Sequence, residues 1–103
     1  MKTMKTLLRE MRKLLTKPHA WTTKALARTK TGLEINPNNK FAVCWCLLGA
    51  IHKIAQTQIE LYNLEAVLTE NLPSDYSNII KMNDTTSHKE VLNFIDRVIL
   101  SEK

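Results

Sequence analysis

Two cysteines, three histidines and one acid–amide pair are the residues whose types could do chemistry. They are Cys44, Cys46, His19, His52, His88, Asn83 and Asp84. Thiols and imidazoles bind zinc or act as nucleophiles and bases, and a carboxylate can exchange protons with an imidazole. Neither a C-x-x-C pair nor an H-x-x-x-H pair is present, so the spacing argues against a metal site. We predict no metal ligands, no catalytic residues and no cofactor.

The two cysteines lie two residues apart in an apolar stretch that we predict to be helical. Side chains at i and i+2 of a helix point about 200° apart, so Cys44 and Cys46 cannot share one ion or pair with each other. Reduced, buried thiols are typical of a cytosolic protein. Residues 1–17 contain no continuous apolar segment of a secretory signal, so we expect a cytoplasmic location.

Asn83 and Asp84 precede the last predicted helix, where short polar side chains accept hydrogen bonds from unpaired backbone N–H groups. Ser87, followed three residues later by Glu90, forms a capping box at the same helix start. Capping therefore explains these residues without chemistry. The chain has no P-loop, G-x-S-x-G or dinucleotide fingerprint, and an enzyme is the least supported class.

The elements that position these residues are predicted to surround one apolar helix. From Phe41 to Ala55 only His52 and Lys53 are polar. A helix that is apolar all round is buried on most sides, and this one is shorter than the roughly twenty residues that span a membrane. We predict a buried central helix at about 39–55.

Within that helix, Trp45 and Cys46 are expected to fill core volume, and Gly49 is expected to let a neighbouring helix approach closely. Apolar spacing predicts the other elements. These are helices at about Thr3 to Thr16, Trp21 to Lys30, Gln58 to Asn71 and after Ser87. Residues 31–39 are predicted to be a loop, with Asn36 or Asn38 as the cap of the central helix. The segment from Ser74 to Met82 fits either a short helix or an extended piece. The whole, 1–103, is predicted to be a single all-α domain of four to five helices.

The charge is uneven along the chain. Residues 1–30 hold nine Lys and Arg against one acid, whereas the remaining residues hold six bases and nine acids. Lys5, Arg9, Arg12 and Lys13 lie on the outer face of the first predicted helix. This basic face either keeps the helix solvated or binds an acidic partner. A sequence-specific DNA reader is not indicated, because no helix-turn-helix glycine turn is present.

Three signatures occur in order: Trp21-x-x-x-Ala25, then Ala42-Val-x-Trp45-Cys46-x-x-Gly49-Ala50, then Asn83-Asp84 with Glu90-Val-Leu in the last helix. Together they resemble a family of small helical proteins of unknown function from phages and bacterial genomes. Met82 stands where that pattern usually has Trp. The resemblance implies an origin in a phage or mobile element, a bacterial cytoplasm and no established activity.

We therefore expect a non-enzymatic interaction protein that binds a host macromolecule, for example an inhibitor of a host defence or nucleic-acid machine. The expected partner is a host protein or protein–nucleic-acid complex, with no membrane association. The alternative is a nonspecific nucleic-acid-binding protein that uses the basic first helix on the phosphate backbone.

Overall fold

A computed structural model of the chain describes residues 2–102. Five helices and one short antiparallel strand pair make up the fold within this range, which is predominantly all-α as predicted. In chain order they are α1 (Met4–Leu14), a one-turn 3-10 helix (Pro18–Ala20), β1 (Ala27–Arg28), β2 (Cys44–Trp45), α2 (Leu47–Ile54), α3 (Gln58–Glu70), α4 (Ile79–Thr85) and α5 (His88–Ser101).

The helix α1 forms as its apolar spacing predicts. Thr3 precedes it, and the Thr3 hydroxyl accepts the backbone N–H of Thr6, which satisfies one of the unpaired donors at the helix start. Leu7, Leu8 and Met11 are buried on one side. This apolar stripe packs on α2, α3 and α5, so α1 covers a large part of the core.

The predicted central helix exists, but its predicted start is wrong. Residues 44–45 are extended, and α2 begins at Leu47 after Cys46 as its N-cap, so neither Asn36 nor Asn38 caps it. A continuous apolar run suits a buried strand as well as a buried helix, and periodicity alone does not separate them. The helix α2 contacts α1, α3, α4 and β2, and it is central as predicted.

The predicted helix from Trp21 to Lys30 is also wrong, because residues 23–26 bend and Ala27–Arg28 form β1. In the strand pair Ala27 lies opposite Trp45 and Arg28 opposite Cys44, and Trp21 bridges to Trp45 in parallel. The segment is rich in Thr, which loses side-chain freedom in a helix. Backbone hydrogen bonds to distant partners then decide its conformation.

Gly49 explains how the 21–28 segment fits against α2. A Cβ at position 49 would collide with the backbone carbonyl of Leu26. The predicted close approach at Gly49 is therefore confirmed, but the neighbour is the bend before β1 rather than a helix. No side chain larger than hydrogen is compatible with this contact.

The C-terminal elements largely follow the prediction. The helix α3 matches its predicted range, and Ser87 caps α5 by accepting the backbone N–H of Glu90. In the segment from Ser74 to Met82, whose sequence fits two conformations, the helix α4 begins at Ile79, with Asn78 as its N-cap. Asn83 and Asp84 therefore lie in the last turns of α4, and the prediction that they cap the following helix is wrong.

The core is one continuous cluster of buried apolar side chains from all five helices and both strands. Trp45, Phe94 and Met82 are among its larger members. Within residues 2–102, no helix combines the length and the apolar character that crossing a membrane requires.

Replacing Gly49 by Ala tests the contact with Leu26. In an ordinary helix interior this change stabilises by about 1 kcal/mol. Here we expect destabilisation of about 1 to 3 kcal/mol, because the methyl group overpacks against backbone. Urea unfolding followed by circular dichroism gives the sign, and a more stable Gly49→Ala variant would show that Leu26 does not approach α2 in this way.

Candidate functional site

Two residues of the sequence pattern, Trp21 and Asp84, hydrogen-bond to the side chain of Asn83, which is only 1% exposed. Its Oδ1 accepts the indole Nε1–H of Trp21 at 2.7 Å and the backbone N–H of Leu47 at 3.1 Å. Its Nδ2 donates to the carbonyl oxygen of Thr22 and to Oδ1 of Asp84, both at 3.1 Å. Both lone pairs and both protons of this amide are therefore used.

Asp84 continues the network to the backbone of Lys24. Its Oδ1 accepts the Lys24 N–H at 2.9 Å. Lys24 has a φ of 63°, the left-handed region that is unfavourable for residues other than glycine. This hydrogen bond helps to hold a turn that a lysine would not adopt on its own.

Trp45 and Cys46 occupy the other side of this cluster. The Trp45 indole donates to the carbonyl oxygen of Pro37 at 3.0 Å, and Cys46 Sγ accepts the backbone N–H of Gly49 at 3.3 Å. Burial raises the pKa of the Cys46 thiol, partly offset by backbone N–H groups. The thiol is consequently protonated at neutral pH and is a poor nucleophile.

The cysteine geometry differs from that predicted. Cys44 and Cys46 lie in extended backbone, so the argument from their divergence on a helix is wrong. Both are nevertheless free and buried, and they have separate neighbours: Cys44 Sγ lies 3.9 Å from the carbonyl oxygen of Arg28. Within residues 2–102 no three His, Cys, Asp or Glu side chains gather as a metal site would need.

Of the three histidines, His88 joins the cluster. Its Nε2 lies 2.6 Å from the carbonyl oxygen of Leu15, and its ring packs against that of Trp21 with centroids 5.6 Å apart. His88 therefore ties the start of α5 to the end of α1. It lies against the same indole that Asn83 holds, and this contact was not predicted.

A small cleft of about 240 Å³ lies beside the cluster. It is lined by Lys24, Ala25, Leu26, Cys46, Ile80 and Asp84. Ligand sites generally occupy about 300 to 1,000 Å³ and present several convergent polar groups. In this cleft the carboxylate is engaged with backbone and the thiol is a helix cap, so the cluster acts as a structural joint.

Of the four cations predicted to form the binding face of α1, one is paired within the fold. Arg12 Nε bonds Asp96 of α5 at 2.9 Å, and Lys2 Nζ bonds Glu10 at 2.9 Å. Lys5, Arg9 and Lys13 form no ion pair with any residue of the described range 2–102. Three of the four predicted residues therefore remain available to a partner, and Arg12 belongs instead to the contact between α1 and α5.

Sequence reasoning missed a second exposed surface. Phe41 and Val43, predicted to be buried, are exposed together with Leu33. Large apolar residues at 41, 43 and 45 favour a strand, but alternation places Phe41 and Val43 on the same face as the buried Trp45, so no local signal gives their exposure.

A family model described as a family of unknown function (DUF6197) matches residues 1–100. The chain belongs to this family, in agreement with the resemblance that the sequence pattern suggested. No curated protein and no solved structure matches the chain.

The role of Asn83 can be tested by Asn83→Ala. This change leaves the Trp21 indole, the Leu47 N–H and the Thr22 carbonyl without their partner, and we expect a loss of about 2 to 4 kcal/mol in unfolding free energy. The matched control is Asn93→Ala, at an exposed position of α5, which should change stability by less than about 0.5 kcal/mol. Equal melts for the two variants would refute a structural joint at Asn83.

The state of the Cys46 thiol can be tested by alkylation of Cys44→Ser, which leaves one cysteine. Because burial raises the pKa of Cys46, the folded protein holds less thiolate at pH 8 than the unfolded chain does. We expect iodoacetamide to modify the folded protein far more slowly than the protein in urea, as measured by mass spectrometry. Rapid modification of the folded protein would instead mark Cys46 as a reactive nucleophile.

Proposed function

We propose that this protein is a non-enzymatic binding protein that docks onto an acidic surface of a host protein through α1. The observation that carries the proposal is the line formed by Lys5, Arg9 and Lys13, hereafter the basic stripe. Its members are spaced i, i+4, i+8, and they extend over about 12 Å of the helix. The resemblance to a phage and bacterial family supports a phage or mobile-element origin and a bacterial cytoplasm, and inhibition of a host machine is the role that we propose for the binding.

The basic stripe lies opposite the buried side of α1. Leu7, Leu8 and Met11 face the core, whereas Arg9 and Lys13 of the stripe are exposed and Lys5 is half-buried. The two other cations of this helix face are neutralised within the chain by Glu10 and Asp96. A face that only solvates a helix commonly mixes charges of both signs, whereas the unpaired part of this one is purely basic.

A protein surface is favoured over nucleic acid as the partner. Three cations on one helix would neutralise about three phosphates, which is few for stable binding at physiological salt. Besides the stripe, the protein exposes apolar side chains of the 29–43 segment, and such patches are typical of protein interfaces.

The proposal can be tested with a variant in which Lys5, Arg9 and Lys13 are all changed to Glu. The immobilised wild-type protein should capture an acidic protein from a bacterial host lysate and release it as the salt concentration rises, because exposed charge pairs are screened. The triple variant should capture none of it. Its melt should stay close to that of the wild type, because its substitutions lie on the solvent side of α1.

The matched control changes Lys53, Lys81 and Lys89 to Glu, which alters the net charge equally at exposed positions elsewhere. The control should keep the partner; loss of the partner in both variants would show that net charge, not the stripe, decides binding. Anisotropy with a labelled DNA duplex completes the test. Nucleic-acid binding would be favoured instead by two results together. The wild type would bind DNA with an affinity whose logarithm falls with the logarithm of the salt concentration at a slope of about −2.7. The stripe variant would lose this binding, and the control variant would keep it.

A further inference from the structure

An uncovered groove lies beyond the core on the small sheet. Its apolar walls are Leu33 and Ile35 on one side and Phe41 and Val43 on the other, and its volume is about 440 Å³. Leu33 is 68% exposed, Phe41 62% and Val43 45%. Three large apolar side chains left in water side by side are unfavourable by themselves, and such patches mark contact surfaces.

Both walls are held rigidly by hydrogen bonds. On one side Thr29 N donates to the carbonyl oxygen of Leu33, and Leu33 N donates to the Thr29 hydroxyl. On the other, Phe41 N donates to Asn39 Oδ1, and the Trp45 indole fixes the carbonyl oxygen of Pro37. The apolar side chains are therefore presented in a fixed arrangement, which lowers the entropy lost on binding.

The rim of the groove is basic. Lys30 and Lys40 line it, and none of its eight lining residues is acidic. The Lys40 ammonium lies 5.3 Å from the centroid of the Phe41 ring, within the range of a cation–π contact. A partner that places carboxylates beside its apolar side chains would meet complementary charge here.

The groove borders an open strand edge. Residues 33–35 pair with β1 through Thr29 N to Leu33 O and Ile35 N to Ala27 O, with Glu34 opposite Arg28. In this antiparallel geometry the N–H and C=O of Glu34 point away from β1. Neither has a backbone partner within residues 2–102, but both face away from Phe41 and Val43, which lie across β1, so this edge is not part of the groove.

We propose that this groove binds an extended segment of a partner protein in which large apolar side chains stand next to carboxylates. The apolar side chains enter between Leu33 and Phe41, and the carboxylates approach Lys30 and Lys40. A second copy of this chain is disfavoured as the occupant, because each copy carries a net charge of +5. The groove is separate in sequence from the basic stripe on α1, so the proposal for one surface can be refuted without affecting the proposal for the other.

The probe is the synthetic peptide Glu-Glu-Leu-Thr-Phe-Thr-Leu-Glu-Glu, titrated into isotope-labelled protein. Amide shifts should change at Leu33, Phe41 and Val43. Replacing the four Glu of the peptide by Lys, or its Leu and Phe by Ser, should weaken binding by at least about tenfold, since both charge and apolar contact are needed. Absence of shifts at the groove, or equal binding of the three peptides, would overturn the proposal.

The variant Leu33→Ser with Phe41→Ser should lose the peptide while keeping its fold. The matched control, Ile59→Ser with Tyr62→Ser, changes two apolar residues of α3 that are each 62% exposed, and it should bind as the wild type does. Equal peptide affinities of the two variants would overturn the groove as the site. Analytical ultracentrifugation completes the test. If the wild type and the control form a dimer at high concentration and the groove variant does not, the groove serves self-association, and the proposal of a different protein as its partner is refuted.

Discussion

One buried amide, Asn83, is the constraint on which the arrangement of this protein depends. It lies in α4, yet its four hydrogen bonds reach the Trp21 indole, the backbone of Thr22, the start of α2 and Asp84. A buried polar group without partners is strongly unfavourable, so all these segments must be in place together. The 21–28 segment is thereby held against α2, and Gly49 supplies the space for its backbone.

The polar groups at the centre of the sequence pattern are engaged in hydrogen bonds within the fold. The Asn83 amide is fully occupied, the Asp84 carboxylate holds a left-handed turn at Lys24, and the Cys46 thiol caps α2. A catalytic group must be able to change its protonation or its contacts during a reaction. Groups whose release would open the fold are poorly suited to that, so Asn83, Asp84 and Cys46 contribute to the stability of the fold.

The sequence predicts those elements whose signals are local. Regular apolar spacing together with a capping residue identifies α1, α3 and α5, because both the stripe and the cap lie within one segment. It fails for 21–30 and 41–46, where contacts from Asn83 and Gly49, distant in sequence, override local preference. The α1 surface shows the same division: its basic side was predictable, but the pairing of Arg12 with Asp96 was not.

Met82 bears on what the shared pattern means. The pattern usually has Trp at this position, and here Met82 is buried in the core beside Asn83. In this chain the position serves packing, because the Met82 thioether is buried in the apolar cluster. Trp45, Cys46, Gly49 and Asn83 are likewise buried, so these members of the pattern serve the fold, whereas Val43 and Glu90 are exposed. Two chains that share these buried residues need not share a partner, because the surfaces that we propose for binding, the basic stripe and the groove, have only Val43 in common with the pattern.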